Sequence, residues 1–202
     1  MLTLVSTALT APAQAQDDQA AELAKELANP IASLISVPLQ YNYDRYGGLN
    51  DAASASRLYL QPVIPFSLGE EWNLITRTIV PLVDQHGFLM DSMNESGLGD
   101  ITSSQFFSPK SPTAGGWIWG AGPIELLPTA TSDMLGSEQW GLGPTAVVLK
   151  QTGPWTVGML SSHIWSVAGE DDRDEISVTS LQPFMSYTTK THTTIGAYTE
   201  SV

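Results

Sequence analysis

The chain contains no cysteine. Disulfide scaffolds, thiol nucleophiles and cysteine-ligated metal sites are therefore excluded. Charge is also scarce: only 14% of the 202 residues are charged, and 8 Lys and Arg stand against 21 Asp and Glu. Phosphate backbones are bound by basic faces, so this balance argues against a nucleic-acid partner. No stretch approaches the roughly 20 uninterrupted apolar residues that a membrane-spanning helix requires. What is present is a 42% hydrophobic chain punctuated by 17 Gly and 13 Pro, long enough for one domain with a sizeable core.

The N-terminus, MLTLVSTALTAPAQAQDD, runs from an apolar segment through Pro12 into Ala13-Gln14-Ala15, a small-x-small cleavage pattern followed by polar residues. Residues 1–15 are read as a signal peptide and the mature protein as exported. No Lys or Arg precedes the apolar run, so the natural start is expected to lie further upstream. Residues 16–30 are expected to form a periplasmic segment with a short helix over 18–28. Asp17 or Asp18 caps it, Leu23 and Leu27 share a face, and Asn29-Pro30 stops it. Sequence leaves open whether this helix stays in the periplasm or folds into a lumen as a plug.

Beyond Pro30 the period changes to two. In LISVPLQYNYD the odd positions Ile35, Val37, Leu39, Tyr41 and Tyr43 are apolar or aromatic, and the even positions between them are mostly polar. In RLYLQPVIPF, Leu58, Leu60, Pro62, Ile64 and Phe66 fall on one face and Arg57, Tyr59, Gln61, Val63 and Pro65 on the other. Trp72, Leu74, Val80 and Leu82 oppose Asn73 and Arg77, and Leu181, Pro183, Met185 and Tyr187 oppose Ser180, Gln182 and Ser186. Glycine and threonine blur the faces of the segments near 100–107, 116–127, 141–150 and 155–166, although their β-branched and aromatic content still reads as strand.

Nine strands result, near 34–43, 57–66, 72–83, 99–107, 116–127, 141–150, 155–166, 176–188 and 192–199. Their connections alternate between long and short, and most of the acids fall in the longer ones. Long loops at one end and short turns at the other are the pattern of an outer-membrane barrel, whereas the loops of a soluble β-sandwich need not segregate by length. The expected fold class is all-β: an antiparallel up-and-down transmembrane β-barrel over 31–202, with about nine strands present and a short N-terminal helix.

The segments ANPIASLISVPLQYNYD, RLYLQPVIPF, WNLITRTIVPL, GLGDI and GWIWGAGPIELLPTAT, in this order, resemble a family of proteobacterial outer-membrane proteins, the phenol-degradation-pathway (MetA-type) transporters, some of which carry the misnomer neuromedin U. The resemblance covers nearly all of the mature chain. It implies a barrel of about a dozen strands that passes small molecules, hydrophobic or aromatic ones among them, with no catalytic residues. Nine strands is an odd number and GAYTESV stops inside an apparent strand, so the expectation is a fragment short of roughly three C-terminal strands, a count that rests on the resemblance.

The lumen-lining candidates are Gln40, Asn42, Arg57, Gln61, Arg77 and Gln182, all on polar strand faces. They either set the charge and hydrogen bonding of a pore or fill a narrow barrel by pairing with groups such as Glu125 and Asp100. The partners expected are outer-membrane lipid, lipopolysaccharide and a small-molecule solute. No cofactor is expected, nor an enzyme. Besides a soluble exported β-protein, two rival readings remain. One is a structural or adhesive barrel that works through its acidic loops. The other is a lipid hydrolase built on Ser161 and His163, which share a strand face but show no acid partner. His86, His163 and His192 have no metal-ligand spacing, and GEDDRDE lacks the glycine and spaced ligands of a calcium loop. The six tryptophans sit near strand ends, where an interfacial girdle would place them.

Overall fold

The alternation after Pro30 becomes one continuous antiparallel sheet. The computed structural model describes residues 20, 22–46, 53–87, 94–189, 191, 193–199 and 201. The expected signal peptide and His192 lie outside the described residues. Among the described residues there are eleven strands: β1 (Leu39–Tyr46), β2 (Ala53–Leu60), β3 (Val63–Leu68), β4 (Trp72–His86), β5 (Asn94–Leu98), β6 (Ile101–Pro109), β7 (Trp117–Leu127), β8 (Gln139–Thr152), β9 (Trp155–Gly169), β10 (Ser177–Thr188) and β11 (Thr194–Tyr198). β3 and β2 lie end to end along one edge of β4, and β5 and β6 do the same along the other, so the eleven strands make nine staves. Every stave pairs with its neighbour in sequence, which makes the sheet an up-and-down meander running from β1 to β11. It is strongly curled into a half-barrel.

The prolines explain one of the two breaks. Gln61 N donates to Pro38 O at 2.9 Å and Val63 N to Ser36 O at 2.8 Å, so odd positions of this stave bond toward β1. Pro62 faces β4, where its carbonyl accepts from Thr78 N at 3.0 Å and its missing N–H leaves the gap between β2 and β3. Pro65 has the parity of the β1 side and lies beyond the last bridge there, Ser36 to Val63, where no ladder needs its donor. The two defects fall on different seams, and neither seam loses two bonds.

Register sorts every stave into two faces. The concave face carries a compact apolar cluster of Val63, Ile75, Phe106, Val147, Leu149 and Leu160, toward the end where the turns are short (69–71, 110–116, 153–154 and 189–193). Ile31, from the segment before β1, completes this cluster and is only 3% exposed. The convex face bares large apolar residues, with Tyr41, Phe66, Trp119, Leu142, Met159 and Met185 all exposed, and carries a few polar ones such as Gln105, Glu125 and His163.

Three expectations needed adjustment. On the side of the longer loops the strands extend further than expected, since β1 reaches Tyr46, β2 starts at Ala53 and β4 reaches His86, so the first and third connections are shorter than the sequence suggested. The expected first strand is irregular over 34–38 apart from the Ser36 bridge and starts properly at Leu39, after Pro38. The helix expected over 18–28 is helical over 22–27, with Ala20 the one described residue before it that is also helical.

Candidate functional site

On adjacent staves, residues of the same face stand side by side. Gln40 is in register with Tyr59 and Asn42 with Arg57, and Arg77 lies between Val63 and Ser104. Curling brings the far edge round to the same place, because Tyr198 on β11 is opposite Phe184 and shares its concave face. The result is a cavity of about 310 Å³ lined from β1, β2, β4, β6, β7, β9, β10 and β11. Its polar wall includes Gln40, Asn42, Tyr59, Arg77, Ser180 and Gln182, and its apolar wall Ile79, Ile124, Leu160 and Ile164.

A relay of side-chain hydrogen bonds organises the polar wall. Arg77 Nη2 donates to Gln61 Oε1 at 2.6 Å, and Gln61 Nε2 donates to Gln40 Oε1 at 2.9 Å. Gln40 Nε2 then donates to both Asn42 Oδ1 at 3.1 Å and Tyr198 Oη at 2.9 Å. The last bond ties the two edges of the sheet together, although among the described residues no backbone ladder joins β1 to β11. Gln61 links Arg77 to Gln40 and is 7% exposed, so each of its polar atoms needs its partner.

Of the six residues expected to line a lumen, Gln40, Asn42, Gln61, Arg77 and Gln182 meet at this cavity. Arg57 is on the same face one step nearer the longer loops and outside the cavity, where Nη1 binds Asp44 Oδ2 at 2.5 Å and Nη2 donates to Tyr46 Oη at 3.3 Å. The pairing with Glu125 does not form. Glu125 is opposite Ser103 and Leu142 on the convex face, while Ile124 and Leu126 beside it point inward. Asp100 is engaged elsewhere: its carboxylate accepts from Ser137 N at 2.6 Å, Ser137 Oγ at 2.7 Å and Ala130 N at 3.2 Å.

Those bonds draw the 128–138 loop over the sheet at its long-loop end. Gln85 Nε2 donates to Met134 O at 3.2 Å, and Leu98 N to Thr131 Oγ1 at 3.1 Å. Gly97 has the concave-face parity of Val83, its register partner, and Thr131 and Leu135 occupy the space a side chain there would fill. The loop therefore leans inward across the mouth. Arg173, in the middle of the acidic run, bonds Glu138 and donates to Asp133 O at 2.6 Å, which latches the neighbouring loop to it. Its guanidinium is raised above the usual arginine value, mainly by the hydrogen bond to Glu138.

Tyr59, Ser104, Ser162, Ser180 and Tyr198 also line the cavity and were not among the candidates. Tyr59 and Ser180 already shared a polar face with Gln61 and Gln182, so that signal existed; Tyr198 enters only because the sheet curls. Ser161 and His163 do share the convex face, but among the described residues no hydrogen bond joins them. His163 Nδ1 instead meets Thr179 Oγ1 at 2.7 Å, and its ring lies 4.1 Å from that of Trp165. Among the described residues no group of three or more His, Asp or Glu converges as metal ligands would, and no helix is long and apolar enough to cross a membrane.

The convex face has its own order. All six tryptophans are at least 37% exposed and lie on it. Trp72, Trp117, Trp119 and Trp155 cluster at the short-turn end, where Trp72 packs edge-on to Trp119 at 5.9 Å and Trp155 to Tyr187 at 4.9 Å. Trp140 and Trp165 stand at the long-loop end of this face, as does exposed Tyr43 on β1. In comparison with known proteins, no family model, no curated protein and no solved structure matches this chain.

Proposed function

We propose that the chain is an outer-membrane β-barrel channel or transporter that passes small molecules through the cavity enclosed by its concave face. The observation that carries the reading is the inversion of the sheet: bulky apolar and aromatic side chains point out and are exposed, while amides, hydroxyls and arginine point in. A water-soluble β-domain with that arrangement would present an apolar patch far larger than soluble monomers tolerate. A bilayer accounts for both halves, the outer face meeting acyl chains and the two groups of aromatic residues meeting the two interfaces. Dimensions agree. On β9, Trp155 and Trp165 are ten residues apart, about 33 Å along a strand at ~3.3 Å per residue, or about 25 Å of membrane depth at a tilt near 40°.

The resemblance to phenol-degradation-pathway transporters points to the same activity, and the walls of the cavity fit a solute with both an apolar body and a hydrogen-bonding head. The acids of the long-loop end lie clear of the apolar belt, as extracellular loops beside lipopolysaccharide would. A lipid hydrolase is less well supported, since His163 is held by a threonine and not by an acid. Reconstitution into planar bilayers tests the proposal. Stepwise conductance that follows insertion supports a channel; a protein that inserts but stays silent to ions and small aromatic solutes favours a structural barrel, and one that remains in the aqueous phase removes the membrane reading altogether.

A further inference from the structure

Residues 25–33 cross the short-turn mouth of the half-barrel on its concave side. Gln151 Nε2 on β8 donates to Lys25 O at 2.9 Å, and on the opposite side Asn73 Nδ2 on β4 donates to Ser33 Oγ at 2.8 Å. Between these two ties Asn29 Oδ1 accepts from Ile31 N at 3.0 Å, and this tight turn presents Ile31 to the wall. Ile31 enters the apolar cluster, and its seat is Gly120, where an added Cβ would stand 3.3 Å from Ile31 Cδ1 and 3.2 Å from Phe106 Cβ. A side chain on Gly120 would crowd Ile31 and Phe106 on the inner face of β7.

The attachment is light for a segment that buries Ile31 and Ala32. No strand pairing holds residues 25–35; the first ladder contact is the Ser36 bridge to Val63, a natural hinge. A second cavity of about 240 Å³ lies directly behind the segment, between Asn29 and Pro30 on one side and Gln61, Arg77 and Gln182 on the other. We propose that residues 25–33 form a displaceable plug with Ile31 as its stopper, and that solute reaches the polar cavity from the short-turn side only when the stopper leaves the Gly120 seat. This rests on the channel reading above, and the test separates the two.

The absence of native cysteine makes a lock straightforward. With Ser33→Cys and Asn73→Cys introduced together, oxidation should tether the plug and lower conductance in planar bilayers at least tenfold, and a reductant should restore it. A tether that forms and leaves conductance unchanged overturns the plug while sparing the channel, and failure of the pair to cross-link places the segment elsewhere and overturns it too. The second readout does not need conduction. Val147→Cys, beneath the stopper, should react with a small methanethiosulfonate at least ten times faster in the Ile31→Asp background than with Ile31 present. Equal rates overturn the plug even in a barrel that proves silent, whereas a rate increase without conductance in either state counts against the channel alone.

Discussion

Phe106 and Phe107 are neighbours on β6 and live in opposite surroundings: Phe106 has no exposed surface, and Phe107 is 45% exposed. The contrast runs through the whole sheet. On β9, Thr156 and Leu160 are buried while Trp155, Val157 and Met159 face outward and are exposed. A sheet that hid its apolar side from water would show the reverse, with large residues packed and small polar ones outside. Here the concave face satisfies polar groups internally, through the relay from Arg77 to Tyr198, and on the proposed reading the convex face meets lipid. The proposed membrane reading makes the inner and outer faces answer to different solvents, and substitutions can be chosen to press on each.

The largest effect is expected inside. Phe106→Ala leaves a cavity beside Ile31 and Ile75 and should cost about 3–5 kcal/mol in urea unfolding from lipid vesicles. Met159→Arg tests the outer face near the middle of the belt, opposite Val148. In a bilayer it should cost about 2–4 kcal/mol. Were that face wet, the same change would fall within about 0.5 kcal/mol of zero. Gln61→Ala cuts the polar relay between Arg77 and Gln40 and removes the donor to Gln40 Oε1, an expected loss of about 1–3 kcal/mol by the same measurement.

A smaller effect is expected at the long-loop rim, beyond the apolar belt. His86 is raised above its ordinary value near 6.5 by hydrogen bonds to Asn94 and then to Asp84, whose carboxylate charge adds to the shift. A raised value in the folded state means that this contribution to stability is complete below about pH 6.5 and is lost as pH rises through the folded value. An NMR titration of the imidazole should show the raised midpoint, and Asp84→Asn should bring it down toward the ordinary one.

Much of this was legible in the sequence, and unevenly so. ISVTSLQPFMSY alternates because the inner face of β10 carries Ser180, Gln182 and Ser186, interrupted by Phe184, and the outer face Leu181, Pro183, Met185 and Tyr187, so Gln182 could be aimed correctly from parity alone. β7 and β8 could not be read that way. Their inner positions are Ile118, Ile124, Val147 and Leu149, mixed with Gly120 and Gly143, because that wall receives the stopper and packs against neighbouring staves, and both faces are therefore apolar. Gly143 is further constrained, since a Cβ there would lie 1.7 Å from His163 O. The helix stop at Asn29-Pro30 was visible in the chain, but the docking of Ile31 depends on residues more than 30 positions away. Asp100 escapes a parity reading because it lies in the break between β5 and β6 and bonds the loop residue Ser137, and Glu125 because the glycines of β7 blur its faces.

The most direct test of the central claim is a scan of single cysteines along β9 from residue 156 to 165, each carrying a fluorophore and reconstituted in lipid vesicles. The inverted-sheet account predicts a two-residue period, with positions 157, 159 and 161 quenched by lipid-attached nitroxides and positions 156, 160 and 162 insensitive to them. Quenching by an aqueous agent at the odd positions, or the loss of alternation, would contradict it.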